Sequence, residues 1–358
     1  MAASISHPVD SSVDESLTDR IERGSFLLGL LGVLGFLEYL QFVHEAFELA
    51  QLFYLFFLLF LVPPGLVVLS GLRDSVRSLY HRLTGERTET ESYYADDDPR
   101  HWIEMAYEPG ALKKLQILLI LVHPNIMIRG IFQVAGAIVA LVRHEGQLPR
   151  PETYESTVEY RLPFEGEWTV VNGSPDKRYS HSWFPVRQRY AHDFVITDDD
   201  GRTHDGSGGL DSFYCFNEPI LAPADGTVVR AKDGHRDHHR TTGWIDPLQY
   251  RLAGNYVVIE HADGEYSFLA HLKKGSVCVT PGEHVEQGQE IGRCGHSGNS
   301  SEPHLHFHVQ DHRVPYVGAG LPVQFVAATD HPELAQSERA KMYIHCGQTV
   351  TSDTPPDG

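Results

Sequence analysis

The run Pro303-His304-Leu305-His306-Phe307-His308-Val309 sets three imidazoles at alternate positions. Side chains alternate along a strand, so His304, His306 and His308 share one face, and Leu305, Phe307 and Val309 share the other. A row of imidazoles backed by an apolar face suits a metal site, because neutral imidazole is a common zinc ligand. The competing reading is a polar solvent face, which strict alternation of three histidines disfavours. Other histidines carry less weight. His235, His238 and His239 lie in a polar insertion, Asp233 to Arg251, that reads as a loop. His261, His284, His296 and His312 stand at strand ends or turns and read as solvated. Gly295-His296-Ser297-Gly298 is not the Gly-x-Ser-x-Gly elbow of a serine hydrolase and fits a turn better. Cys215, Cys278, Cys294 and Cys346 lack Cys-x-x-Cys spacing, and their positions assign no pairing.

The elements that must position these residues are short strands. Thr157–Leu162, Trp168–Asn172, Tyr190–Thr197, Gly226–Lys232, Tyr256–His261, Tyr266–His271 and His304–Gln310 are separated by Gly, Pro, Asp and Asn clusters. Such spacing predicts a mainly β domain, an antiparallel β-sandwich or open barrel.

The first part of the chain has a different character. Phe26–Val43 is apolar around one acid, Glu38, and Leu49–Leu72 is a purer run broken by Pro63-Pro64. Crossing the hydrocarbon layer takes about 20 apolar residues. A third stretch, Leu115–Val142, is long enough but holds Pro124, Asn125 and Arg129, so it crosses in company or is partly re-entrant. The pattern predicts an α-helical transmembrane region with two or three hydrophobic helices. Arg20 and Arg23 precede the first run, and Arg73, Arg77, Arg82 and Arg87 follow the second. The turn between them, His44 to Glu48, has no Lys or Arg, which places the N-terminus and the following loop in the cytoplasm. Three crossings then put everything after Val142 outside the cell; two would leave it inside, and three is the favoured count. The expected layout is a cytoplasmic tail at 1–24 and a membrane region at 25–143 with a polar loop at 73–114. A linker and first strand at 144–165, a catalytic domain at 166–328 and a C-terminal extension at 329–358 follow. A net charge of −19 argues against a nucleic-acid partner. The acid-rich, lysine-poor balance fits a salt-adapted host and equally an acidic soluble surface.

Several motifs in order resemble the lysostaphin/LytM-type zinc endopeptidases: Pro219 to Val229 with Ala-Pro-Ala-Asp-Gly, Gly254-Asn255 to His261, Ala270-His271-Leu272, Gly295 to Asn299 and Pro303-His304-Leu305-His306-Phe307. The resemblance covers roughly residues 160–325. It implies a lysostaphin-like fold, a zinc cofactor and a peptide or peptidoglycan substrate. It also implies that His306 binds zinc, that Asp193 is a second ligand, and that His304 and His271 are the catalytic pair beside the attacking water. The first zinc histidine departs from the family's motif, because the position four before Asp193 holds Arg189. His192 and His181 are the alternatives. Neighbours on a strand face opposite ways, so His192 and Asp193 would share a metal only through a bulge, and His181 is preferred. A membrane-tethered, non-catalytic scaffold of the same fold is the rival reading. Retention of Asp193, His271, His304 and His306 weighs against it.

Overall fold

A computed structural model describes residues 98–106, 124–180, 183, 186–239, 252–262, 264–326 and 341–352, with backbone alone over 124–131. The apolar runs Phe26–Val43 and Leu49–Leu72, most of the insertion after His239, and His181 lie outside the described residues. All described residues belong to one compact unit, Arg87–Pro109 with Val122–Gly358.

The unit is built on antiparallel strands. They are β1 (Gly166–Asn172), β2 (His192–Val195), β3 (Pro219–Leu221), β4 (Gly226–Lys232), β5 (Asn255–Ala262), β6 (Glu265–Leu272), β7 (His284–Val285) and β8 (Glu290–Arg293). Then follow β9 (Leu305–Gln310), β10 (Gly320–Leu321), β11 (Phe325–Val326), β12 (Lys341–Met342) and β13 (Thr349–Ser352). The main sheet runs β13-β1-β2-β9-β6-β5-β4-β7, with β10 also on β9, while β3 pairs β8 and β11 pairs β12. Strand β4 spans the expected residues. The expected strand Thr157–Leu162 is instead irregular chain with a single bridge, Tyr160 to Phe325. The sheet also takes in β13, which lies in the expected C-terminal extension and pairs with β1.

Alternation sorts the sheet into two faces. Leu305, Phe307 and Val309 of β9 and Leu269 of β6 enter the large core with Phe164, Trp168, Phe194 and Ile259. Val258, Phe268 and Ala270 form a smaller cluster. The register sets Phe268 opposite His308, Leu269 opposite Phe307 and Ala270 opposite His306. The β9 histidines therefore stand on the face turned away from the large core.

Among the described residues there is one α-helix, α1 (Pro124–Arg143), the later part of the third apolar stretch. Its inner side packs without side-chain bulk: a Cβ on Gly136 would lie 1.7 Å from the Tyr316 carbonyl oxygen. Ala137 and Ala140 bury against Val186 and Ala319. The Arg143 guanidinium grips both oxygens of Asp311 at 2.9 Å, and His144 meets the same carboxylate. Phe132, Ile138, Val139 and Val142 stay exposed on the outer side. Among the described residues no helix is long and apolar enough to cross a membrane.

The irregular chain before β1 is held by Glu265, which is buried at the start of β6. Its carboxylate accepts from Ser156 Oγ at 2.7 Å, Thr157 N at 3.1 Å, Thr157 Oγ1 at 3.3 Å and Tyr160 OH at 2.9 Å. Removing a charged acceptor that satisfies several donors is costly. Glu265→Ala is expected to lower the unfolding free energy by roughly 2–4 kcal/mol in a urea titration. An unchanged midpoint would show that the carboxylate does not hold this segment.

Candidate metal and catalytic centre

Strands β2, β9 and β6 lie side by side and bring four of the singled-out residues together. Asp193 stands directly opposite His306, and Ala270 faces His306 from the other side. His306 Nδ1 is 2.8 Å from Asp193 Oδ1, and His304 Nε2 is 3.7 Å from the same oxygen. The His271 ring lies 4.8 Å from that of His304 and 5.9 Å from that of His306, centre to centre.

His271 reaches this face through a local irregularity. By alternation it would follow Leu269 into the large core. The β5–β6 register instead slips between Asn255 and Tyr256, which pair with Leu272 and Ala270 and leave His271 as the extra residue. Its φ is +62°, a conformation uncommon for a residue with a side chain. The bulge restores Leu272 to the core and turns His271 towards His304.

The two rings are also set by backbone carbonyls. His271 Nδ1 is 2.8 Å from Ser297 O, and His304 Nδ1 is 2.8 Å from Glu302 O. A carbonyl only accepts, so each Nδ1 carries a proton, and in the neutral ring the lone pair stands at Nε2. Burial, with the imidazoles of His304 and His306 beside it, holds the His271 pKa well below its ordinary value. Ser297 is placed by close backbone packing: a Cβ on Gly254 would lie 2.4 Å from the Ser297 carbonyl carbon, and one on Gly298 would lie 2.3 Å from Gly254 N. Ser297 Oγ donates to Leu272 O at 2.6 Å and accepts from Asn255 N at 2.9 Å, which ties the turn to the bulge.

A second ring of polar groups surrounds the centre. Asn172 Nδ2 donates to Asp193 Oδ2 at 3.1 Å, and Arg100 reaches Asn172 Oδ1 at 3.2 Å. On the far side of His306, Nε2 is 3.1 Å from His308 Nδ1, and His308 Nε2 is 3.0 Å from Gln310 Oε1. His308 is therefore a supporting partner of His306. The Gln188 side chain also meets His306 Nε2, at 3.4 Å.

The remaining candidates go elsewhere. His192 faces Phe307, contacts the rings of Phe194 and Phe325, and lies 3.3 Å from Ile344 O, so it points away from Asp193. Arg189 stacks on Trp183 with 4.7 Å from guanidinium to ring centre. His181 lies outside the described residues. His296, expected in solvent, is fully buried with Nδ1 2.9 Å from Ser300 Oγ. Among the described residues no group of three or more His, Cys, Asp or Glu side chains is arranged to hold a metal ion. The sequence reading missed Asn172, Arg100, Gln188, Ser297, Glu302 and Gln310. Gln310 had a signal in the alternation of 304, 306 and 308, and Ser297 in the Gly295–Asn299 motif.

Residues 205–317 match the model of Peptidase family M23. The matched span contains His271, His304 and His306, whereas Asp193 precedes it. Peptidoglycan DD-endopeptidase ShyA of Vibrio cholerae is 28% identical over 178 residues, 49% of this chain and 33% of that protein. Murein hydrolase activator NlpD of Salmonella typhimurium is 27% identical over 143 residues, 40% of this chain and 33% of that protein. The chain thus spans about a third of the length of these curated relatives. A solved zinc containing peptidase from Vibrio cholerae is 23% identical, with a TM-score of 0.29, over 46% of this chain and 41% of that one.

Glu302, whose carbonyl orients His304, has a carboxyl group buried without exposure. Its Oε2 accepts from Ala106 N at 2.9 Å. Burial pushes its pKa up from 4.5 to about 7. Between those values the folded chain holds a proton that the unfolded chain has lost. The Glu302 contribution is therefore full below about pH 4.5 and is lost as pH rises through about 7. Glu302→Gln, which stays neutral, is expected to gain stability over the parent across that window, by up to roughly 3 kcal/mol at pH 8. Parallel urea midpoints for the two proteins from pH 4 to pH 8 would remove the carboxyl group as the source.

Proposed function

We propose that the chain is a membrane-anchored zinc metalloendopeptidase that hydrolyses peptide bonds, in the cross-bridges or stem peptides of peptidoglycan. The observation that carries this reading is the meeting of Asp193 and His306 at 2.8 Å, flanked by His271 and His304 with their Nδ1 atoms on backbone carbonyls. A carboxylate oxygen and an imidazole nitrogen on neighbouring strands fit half of a tetrahedral zinc site. His181 is the proposed third ligand. Such a set of two histidines and one carboxylate is the pattern of catalytic zinc, which keeps a position open. A bound zinc supplies Lewis acidity, which acidifies water and polarises a carbonyl.

The protein's own groups do the rest. His271 and His304 each present a lone pair at Nε2, so either can take a proton from water and return one to the departing amine. Once protonated, either can donate a hydrogen bond to the oxygen that gains charge during attack. Their carbonyl partners hold the rings in this sense, so no reorientation is needed between the two proton transfers. The M23 match over residues 205–317 and the similarity to a peptidoglycan DD-endopeptidase support the substrate class.

The second reading is a non-catalytic regulator of another wall hydrolase. It is favoured by Arg189 at the family's first zinc position and by the similarity to a murein hydrolase activator. Zinc content separates the two. The full chain in detergent is expected to bind one zinc and to cleave glycine-rich peptides or peptidoglycan. His304→Ala should keep the metal and lose roughly 10²–10⁴-fold in rate. His181→Ala and Asp193→Ala should lose both. Full zinc and activity in His181→Ala would reject that ligand, and a metal-free, inactive parent would favour the regulator.

Anchoring rests on the apolar runs Phe26–Val43 and Leu49–Leu72; their arginine flanks place both ends of that pair in the cytoplasm, so the proposed extracytoplasmic catalytic domain follows from a third crossing within Leu115–Val142. The exposed apolar side of α1 supports contact with lipid. Cys278 is exposed and reports on sidedness. In intact cells a membrane-impermeant thiol reagent is expected to label it; labelling only after lysis would place the domain inside.

A further inference from the structure

The turn between β8 and β9 carries both carbonyls that orient the proposed catalytic pair, Ser297 O for His271 and Glu302 O for His304. At its heart lies a further imidazole, His296, fully buried and outside that pair. Its Nδ1 is 2.9 Å from Ser300 Oγ. The Ser300 hydroxyl donates to Glu302 O at 2.6 Å, and its oxygen also lies 3.2 Å from His304 Nδ1. A hydroxyl has a single proton, and the Glu302 carbonyl takes it, so Ser300 Oγ accepts from the N–H of both rings. His296 therefore carries a proton at Nδ1. Its backbone is pinned as well. His296 N donates to Asp237 Oδ1 at 2.9 Å, and His238 N donates to His296 O at 2.9 Å. The other Asp237 oxygen accepts from Lys274 N at 3.0 Å, just beyond the His271 strand.

We propose that His296 is a positioning residue for the hydrolysis, acting through Ser300 on the ring of His304; the inference rests on the metallopeptidase reading of the centre. The contacts run in one sense. The His296 N–H polarises the Ser300 hydroxyl, which strengthens its bond to Glu302 O. That bond fixes the carbonyl facing His304 Nδ1, and Ser300 Oγ offers the same N–H a second acceptor. A half-turn of the His304 ring would set carbon against both acceptors and shift Nε2 from its place 3.7 Å from Asp193 Oδ1. The charge that gathers on His304 when it takes a proton from water is met at Nδ1 by two oxygens already in place. Loss of the His296 contact therefore costs rate through misorientation and leaves substrate binding and the metal ligands as they are.

The test uses the full chain in detergent with isotope-labelled histidine, first stripped of metal by a chelator. Long-range proton–nitrogen spectra at about pH 8, where a free imidazole is neutral, should show His296 and His304 protonated at Nδ1. Ser300→Ala should loosen His304 into a mixture of tautomers. His296 protonated at Nε2 alone, or an unchanged His304 signature in Ser300→Ala, would overturn the proposal. In the zinc-loaded chain His296→Leu should lower kcat about tenfold, with KM and zinc content unchanged. His296→Asn, whose amide can donate to Ser300 Oγ, should recover most of that loss. A loss confined to KM, a loss of zinc, or equal rates in the Leu and Asn variants would each overturn the positioning role. Should His296→Leu fail to fold, the spectra and Ser300→Ala decide. A parent without peptidase activity would reject the metallopeptidase reading and this role with it, whereas failure confined to the spectra and variants rejects this role alone.

Discussion

The centre depends on the antiparallel register of β2, β9 and β6. It sets Asp193 against His306, and His306 against the small side chain of Ala270. A one-residue slip of β9 would send all three imidazoles into the core and turn Leu305, Phe307 and Val309 outward. Register is therefore fixed by burial on the opposite face, where those apolar side chains pack with Phe194, Leu269 and Ile259. The hydrophobic contacts and the polar centre are two consequences of one alignment, so a change in either is felt by the other.

Position alone does not make these groups useful; their orientation matters as much. An isolated imidazole near a carboxylate has two tautomers and several ring settings. Here the carbonyls of Ser297 and Glu302 choose the Nδ1–H form for His271 and His304. Asn172 restrains the second oxygen of Asp193, leaving the first directed at His306. Neither carbonyl was visible as a functional group in the sequence, since each belongs to a residue whose side chain does something else. Glu302 uses its carboxyl group to hold Ala106 and its main chain to hold His304.

The features legible in the sequence were those carried by periodicity. The alternation along 304–310 identified both faces of β9, and the turn residues around Gly226–Lys232 bounded β4. Less legible were features that arise when distant segments meet. The His271 bulge comes from a register slip against β5, which no local pattern in Ala270-His271-Leu272 reveals. Thr157–Leu162 has strand-like composition, yet its polar groups are taken by Glu265 and not by a neighbouring strand. His296 stands in a Gly-rich turn that normally faces water. It is buried because glycines 254 and 298 let two backbones approach to a separation that no side chain would allow. His192 shows the opposite case, where the simple rule that neighbours face apart held and placed it in the core.

Arg189 tests how far a motif's spacing constrains its chemistry. The chain here turns between Val186 and Gln188 and enters β2 only at His192. Arg189 therefore lies outside the ladder that fixes Asp193, and its guanidinium lies over the Trp183 ring. A side chain ahead of the strand is free to change type without disturbing the register, whereas one inside it is not. Asp193 faces His306 within the ladder, and its carboxylate is held by a second strand through Asn172. The difference explains why position 189 tolerates an arginine, whereas Asp193 and His306 are tied to each other by the register.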